Sequence, residues 1–314
     1  MEQITDTILM IRPVSFSKNE ETAINNYFQS DINNSVDIIN KQAQFEFDTF
    51  VSKLKAIGVN VQVVEDTSSP VTPDAVFPNN WISFHANGDV ALYPMYARNR
   101  RLERRSDVLD ILENQGFVIT NTIDYSSAEN EGVYLEGTGS IILDRVNRKA
   151  YCALSDRADE SLFIEFCEDF EFLPLIFNAN QTFEGKRLPI YHTNVMMCIA
   201  ETFAVICLDC IDNKKQRQSI VEHLKSDGKE IISISENQMH QFAGNMLQLK
   251  TSNGSAILVM SQSAYESLSE SQIKSINSHC DILYSPLTTI ETCGGGSARC
   301  MMAEIFLPKK ITKI

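Results

Sequence analysis

No stretch of the chain stays apolar for the ~18 residues that a membrane-spanning helix needs. The start, Met1 to Asp6, has neither the basic opening nor the apolar core of a secretion signal. A cytoplasmic protein is expected. Cations are scarce: 27 basic side chains stand against 41 acidic ones, a net charge of -14, which argues against nucleic acid or an anionic membrane as partner and for a small molecule. The eight cysteines, at 152, 167, 198, 207, 210, 280, 293 and 300, lack the dense spacing of a disulfide scaffold, so reduced thiols are expected. Cys207 and Cys210 form a CxxC, but no second pair and no nearby HxxxH accompany it. It reads as the end of the strand-like run 203–208. No GxGxxG follows a strand and no phosphate-loop lysine motif occurs, which excludes the common nucleotide sites. No metal-ligand cluster or cofactor fingerprint appears either, so neither a metal nor a cofactor is expected. Without a Pro/Gly/Ser-rich linker or a charge block to divide it, residues 1–314 are expected to form one domain.

What the chain does contain is a long alternation of short apolar runs and polar helical patterns. Strands are predicted at 8–11, 61–64, 81–84, 90–93, 140–143, 149–153, 195–199, 203–206, 246–249, 256–259 and 282–284. Amphipathic helices are predicted at 41–56, 101–115, 159–168, 214–225 and 269–278, as in the spacing of Phe47, Phe50 and Leu54. The short connections 85–89, 144–148 and 250–254 imply antiparallel hairpins, so the class is α/β without a purely parallel sheet. A strand, strand, helix, strand cadence returns roughly every 60 residues.

The segment from Glu291 to Cys300 holds three consecutive glycines, 294 to 296, followed at once by Ser297, Ala298, Arg299 and Cys300. Such a run lets backbone lie close to a ligand, at an entropic cost, and presents the cysteine beside it. A thiol near pKa 8.5 is mostly protonated at neutral pH, so a nucleophilic cysteine needs a base or cation close by. His192 is the candidate, placed at the mouth of the strand 195–199. The other four histidines, 85, 223, 240 and 279, fall at a hairpin, on a polar helix face or at helix ends, and read as solvated. Glu136, followed by Gly137 at the entrance to strand 140–143, is the candidate carboxylate. A fourth segment, 72–81, carries Asp74, Phe77, Asn79, Asn80 and the single tryptophan.

In this order the four segments resemble the guanidino-group-modifying superfamily, the penteins, which includes arginine deiminase, dimethylarginine hydrolase and the amidinotransferases. The resemblance covers nearly the whole chain. The family pattern D-x-x-F-x-[ED]-[DN] is met by Asp74, Phe77, Asn79 and Asn80, its [ED]-G-G-D turn by Glu136 to Gly139, its H-x-[DKN] by His192 to Asn194, and its late cysteine by Cys300. The resemblance implies a five-bladed α/β propeller of ββαβ-type units. It implies Cys300 as nucleophile, His192 as general acid and base, and Glu136 as the carboxylate that steers substrate nitrogens. Arg100 matches a family arginine that grips an α-carboxylate, and Asn245 is a further candidate contact.

Where the deiminases use carboxylates to clasp a guanidinium, this chain has amides at Asn80 and Asn194, with a third at Asn79. Asparagine offers donors and acceptors in equal measure, which suits a neutral ureido group better than a buried cation. In this respect the chain is similar to the citrulline-utilisation hydrolases. The expectation is hydrolysis of citrulline to ornithine, carbon dioxide and ammonia through a covalent Cys300 intermediate. The alternatives are an arginine-derivative deiminase or dihydrolase, an amidinotransferase, and a pentein that binds without chemistry. The expected partner is a ureido or guanidino amino acid, with homo-oligomerisation left open.

Overall fold

The computed structural model describes residues 2–310. The expected domain 1–314 and the expected signal-free start include Met1 and residues 311–314, which lie outside the described residues. Hairpins followed by a helix and a parallel third strand recur along the chain, and the recurrence follows from local sequence. In the first such unit, Ile82–Phe84 turns back through 85–88 onto Asp89–Leu92, the helix Asp107–Asn114 crosses over, and Asn121–Asp124 pairs parallel to the second strand. The same order holds for Ile141–Asp144, Lys149–Ala153 and Leu173–Phe177 around helix Glu160–Asp169. It holds again for Met197–Ile199, Phe203–Ile206 and Glu230–Ser233 around helix Lys214–Ser226. A fourth unit joins Leu247–Lys250, Ala256–Ser261 and Asp281–Ser285 around helices Gln262–Ser267 and Glu270–Asn277.

The fifth sheet is assembled from both ends of the chain. Ala303–Glu304 pairs antiparallel to Thr7–Arg12, which runs parallel to Asn60–Glu65 after the long helix Val36–Ala56. That helix buries Ile39, Ala43, Phe47, Phe50 and Leu54, a stripe at the three- and four-residue spacing of one face. Side-chain caps start three of the crossover helices: Asp159 accepts from Ser161 N and Leu162 N, Asn213 from Lys215 N and Gln216 N, and Ser269 closes a capping box with Gln272. A separate two-stranded hairpin, Asn180–Phe183 with Lys186–Pro189, stands outside these units.

Each sheet grades from dry to wet. Its first strand is buried, as Ile82–Phe84, Ile141–Asp144 and Met197–Ile199 are throughout, whereas the third strands Asn121–Asp124 and Glu230–Ser233 are largely exposed. First strands approach one another: Ile141–Asp144 lies against Met197–Ile199, and Ile82–Phe84 against Ala303–Glu304.

Two expectations are corrected. The helix predicted over 101–115 is split into a 3-10 turn, Asn99–Glu103, and the helix Asp107–Asn114, because Arg100 and Glu103 turn inward as a buried pair. His85, expected to be solvated, is buried, stacked on Phe170 at 3.9 Å and hydrogen-bonded through Nε2 to Ser83 at 2.9 Å. All eight cysteines are free and buried. No helix among the described residues is long and apolar enough to cross a membrane.

Candidate active site

Most of the candidate residues sit at the turns that lead into the first strands of the sheets, with Asp74 and Phe77 just upstream of one of them and Arg100 apart from them in the 3-10 turn Asn99–Glu103. The 3-10 turn Pro78–Asn80 precedes Ile82–Phe84, the turn Gly137–Ser140 precedes Ile141–Asp144, and Thr193–Val195 precedes Met197–Ile199. Asn245 precedes Leu247–Lys250, and Cys300 precedes Ala303–Glu304. Residues scattered from 79 to 300 are thereby brought to one end of the buried strands.

Cys300 receives two amide donors. Asn194 Nδ2 and Asn245 Nδ2 each lie 3.3 Å from its Sγ. Asn245 is held from behind, its Oδ1 accepting from Arg299 N at 3.0 Å and its Nδ2 also donating to Asn194 O at 3.0 Å. His192 Nε2 is 2.7 Å from Glu136 Oε2, and since a carboxylate only accepts, Nε2 carries the hydrogen and Nδ1 is left as the base. Burial drives His192 down to about 4, against the pull of Glu136. Burial also opposes ionisation of Glu136, but Arg157 at 3.5 Å, the His192 hydrogen bond and Arg100 at 3.8 Å hold its carboxyl well below the usual carboxylate range. The resting pair is therefore a neutral imidazole on an ionised carboxylate. Tyr96 N donates to the other oxygen, Glu136 Oε1, at 3.0 Å.

A relay of fixed donors orients the asparagines. Arg100 can only donate, so the oxygen of Asn80 must face its Nη1 at 2.9 Å. Asn80 Nδ2 then donates to Asn79 Oδ1 at 3.0 Å, which leaves Asn79 Nδ2 as a buried donor with no acceptor among the described residues. Asn194 Oδ1 and Asp74 Oδ1 are likewise buried acceptors with no donor among the described residues. Asp74 Oδ2 accepts from Asn19 Nδ2 at 2.7 Å and Thr22 Oγ1 at 3.2 Å, and burial pushes its carboxyl up.

The structure brings Cys300, Asn194 and Asn245 into direct contact, and joins His192 to Glu136 and Asn79 to Asn80 and Arg100. Phe77 has a different place. Its ring lies under the glycine run, where a Cβ on Gly294 or Gly296 would come within 2.8 and 2.9 Å of ring carbons. Arg100 is occupied too, forming a two-pronged pair with Glu103 at 2.9 Å and standing 3.7 Å from Asp74.

Sequence reasoning missed Arg157 and the segment 19–29. Arg157 is buried, donates to Asn25 Oδ1 and Thr22 O, lies over the Tyr191 ring, and lines a small cavity with Asn25, Tyr27 and Tyr191. Asn26 and Gln29 donate to the carbonyls of Gly294 and Gly295 and so cover the glycine run. The clustering of Asn19, Asn25 and Asn26 was the available signal; Arg157, within a charged loop, offered none. Among the described residues no group of three or more His, Cys, Asp or Glu converges on a metal position.

The sequence matches the family N,N dimethylarginine dimethylhydrolase, eukaryotic, over residues 12–307. The chain belongs to that family. Its place in the dimethylarginine dimethylhydrolase family puts it among the guanidino-modifying penteins. No curated protein matches it in sequence. Among solved structures, apo ArgZ, an arginine dihydrolase from the ornithine-ammonia cycle in cyanobacteria, is similar at TM-score 0.74 and 17% identity over 97% of this chain. This chain spans 41% of the length of that ArgZ chain. The substrate-bound N-terminal domain of ArgZ gives 0.70 at 16% identity, over 95% of this chain and 97% of that one. A dimethylarginine dimethylaminohydrolase in adduct with S-methyl-L-thiocitrulline gives 0.63 at 11%, over 96% and 100%. At these identities the likeness is one of fold: this family member has the mixed α/β fold of guanidino-group hydrolases.

Proposed function

We propose that the chain is a cysteine-dependent hydrolase of a ureido amino acid, converting citrulline to ornithine, carbon dioxide and ammonia. The carrying observation is Asn79 Nδ2, a buried donor whose direction is set by Arg100 through Asn80 and which has no acceptor among the described residues. A guanidinium has only N–H groups and would leave that donor unpaired, at a cost of about 1–3 kcal/mol. A ureido carbonyl satisfies it, and ureido N–H groups suit the open acceptors Asn194 Oδ1 and Asp74 Oδ1.

In this reading the Cys300 thiolate, supported by the amides of Asn194 and Asn245, attacks the ureido carbon. The thiol proton passes to His192, which burial keeps neutral beforehand, and from there to the leaving nitrogen of ornithine. The remaining carbamoyl thioester is hydrolysed by water that gives its proton to His192, and the carbamate released breaks down to carbon dioxide and ammonia. Arg157, which lines the small cavity beside the site, takes the substrate α-carboxylate: Arg100 is locked in a two-pronged pair with Glu103, whereas the hydrogen bonds of Arg157 go to the neutral Asn25 Oδ1 and Thr22 O, with Glu136 at 3.5 Å. Five sheets of one connectivity, closed by a sheet shared between the chain's two ends, support a five-bladed single domain around this site.

A second reading, hydrolysis of a guanidino compound, is favoured by the family match and by Asp74, a carboxylate next to the site. Ornithine and ammonia are to be assayed after incubation with citrulline, arginine, dimethylarginine and succinylarginine. The expected outcome is equal ornithine and ammonia from citrulline, abolished in Cys300→Ala without loss of fold, and a ~100-fold loss of citrulline kcat/KM in Asn79→Asp. Turnover of a guanidino compound with none of citrulline overturns the ureido reading; activity persisting in Cys300→Ala overturns the covalent one. A protein that binds these compounds and turns over none is a binding module.

A further inference from the structure

The loop between the helix Thr288–Gly294 and Cys300 is tied to a carboxylate with no part in the chemistry above. Glu291 is buried, and its Oε1 accepts from Ser297 Oγ at 2.5 Å while its Oε2 accepts from Ser263 Oγ at 2.5 Å. Ser263 is tied in turn to Ser261 at 3.0 Å. Among the described residues Glu291 makes no ion pair, and Glu46, whose oxygens cap the backbone N–H groups of Thr289 and Ile290, adds repulsion from the neighbouring helix. Burial pushes Glu291 up, and the serine hydroxyls oppose that. A buried carboxylate without a cation destabilises a fold relative to an apolar side chain of the same size. What it supplies is a strong, fixed acceptor, and the short bonds to Ser297 and Ser263 are in the range of charge-assisted O–H donors.

Ser297 is the hinge of the nucleophile turn. Its carbonyl accepts from Cys300 N at 3.0 Å, and two residues further on Arg299 N is docked on Asn245 Oδ1 at 3.0 Å. The three glycines leave this turn with no side-chain anchors of its own before Ser297. We propose that Glu291 is a positioning residue for the nucleophile: by holding Ser297 it fixes the turn that presents Cys300 Sγ to the amides of Asn194 and Asn245. This rests on the reading of Cys300 as the nucleophile and touches no substrate group itself.

The test uses Glu291→Ala, Ser297→Ala and the double variant, each checked for its thermal transition, with two readouts: the iodoacetamide alkylation rate of Cys300, located by peptide mass, and kcat and KM on citrulline. Each single variant is expected to slow both alkylation and kcat by ~10- to 100-fold, the range that small misplacements of reacting groups cause. KM should stay within about threefold, and the double variant should match the singles, as for residues acting through one contact. Glu291→Gln, which can still accept from one serine, should recover part of the loss. Multiplying losses in the double variant, a change confined to KM, or unaltered rates in folded Ser297→Ala would overturn the proposal. Should Glu291→Ala fail to fold, Ser297→Ala alone decides it. If citrulline is not the substrate, the wild-type protein shows no turnover, while the alkylation comparison still reads the turn.

Discussion

At the scale of single residues, burial and two guanidinium groups, Arg157 and Arg100, 3.5 and 3.8 Å from Glu136 Oε2, set the protonation of the site. Burial is the main cause that takes the imidazole of His192 to about 4 from the ordinary 6.5, against the pull of Glu136, and the two guanidinium charges add to it. The sign of the consequence follows from linkage. As pH falls from 6.5 towards 4 the unfolded chain binds this proton and the folded chain does not, so stability is full above 6.5 and is lost through that window. A shift of this size is worth about 3 kcal/mol. His85, also lowered by burial, adds in the same direction. Denaturant titrations at pH 4.5, 5.5, 6.5 and 7.5 should show His192→Gln, which keeps an N–H for Glu136, with the shallower decline. Equal slopes in both proteins would mean that His192 is protonated in the fold.

At the scale of elements, the glycine run shows how backbone geometry and covering segment depend on each other. Gly295 has φ +63, and a Cβ there would stand 2.5 Å from Asn26 Nδ2, while its carbonyl accepts from Tyr191 Oη at 2.5 Å. Gly132, at φ +72, has no atom of the described residues within 4 Å of the same position. Alanine at Gly132 should cost only the left-handed backbone penalty, about 1–2 kcal/mol. Alanine at Gly295 should cost more and also reduce turnover, because segment 19–29 must shift; equal losses in unfolding free energy, with activity retained, would remove the covering role. That segment was largely illegible in the sequence. Its contacts run from Asn26 to residues 294 and 295 and from Thr22 to Asp74, and no local period announces such pairings. The buried first and second strands were legible, since their apolar runs are continuous. Among the third strands, Leu173–Phe177, which buries Leu175 and Phe177, is a short apolar run that went unread, while Asn121–Asp124 and Glu230–Ser233 were not legible, because exposed edge strands bury too few side chains to print a pattern. The hairpin spanning Asn180–Phe183 and Lys186–Pro189 escaped for the same reason. Arg100 illustrates a different limit: the family resemblance implied a ligand contact for it, while Glu103, three residues on, is paired with it.

At the scale of the whole molecule, the short segment before the first strand stitches sheets that are far apart in the chain. Gln3 Nε2 donates to Leu143 O at 2.9 Å and Ile199 O at 3.3 Å, and Gln3 Oε1 accepts from Arg145 N at 2.7 Å. Thr5 O accepts from Lys250 N at 2.9 Å, and Thr5 Oγ1 donates to Ile305 O at 2.8 Å. Two residues thus connect the second, third, fourth and fifth sheets at backbone groups that water cannot readily serve, for Gln3 is buried. Replacing Gln3 by alanine strands one N–H and two carbonyls, and a loss of ~2–3 kcal/mol in unfolding free energy is expected, unless water enters the adjoining space. Glu2 is the control, an exposed residue whose ion pair with Lys250 at 3.0 Å is surface-screened, so Glu2→Ala should stay within about 0.5 kcal/mol. Because Gln3 binds the sheets that carry Glu136 and His192, its loss should also lower turnover. An alanine variant as stable as the parent would show that the closing strands Ala303–Glu304 and Thr7–Arg12 hold these sheets together without the stitch.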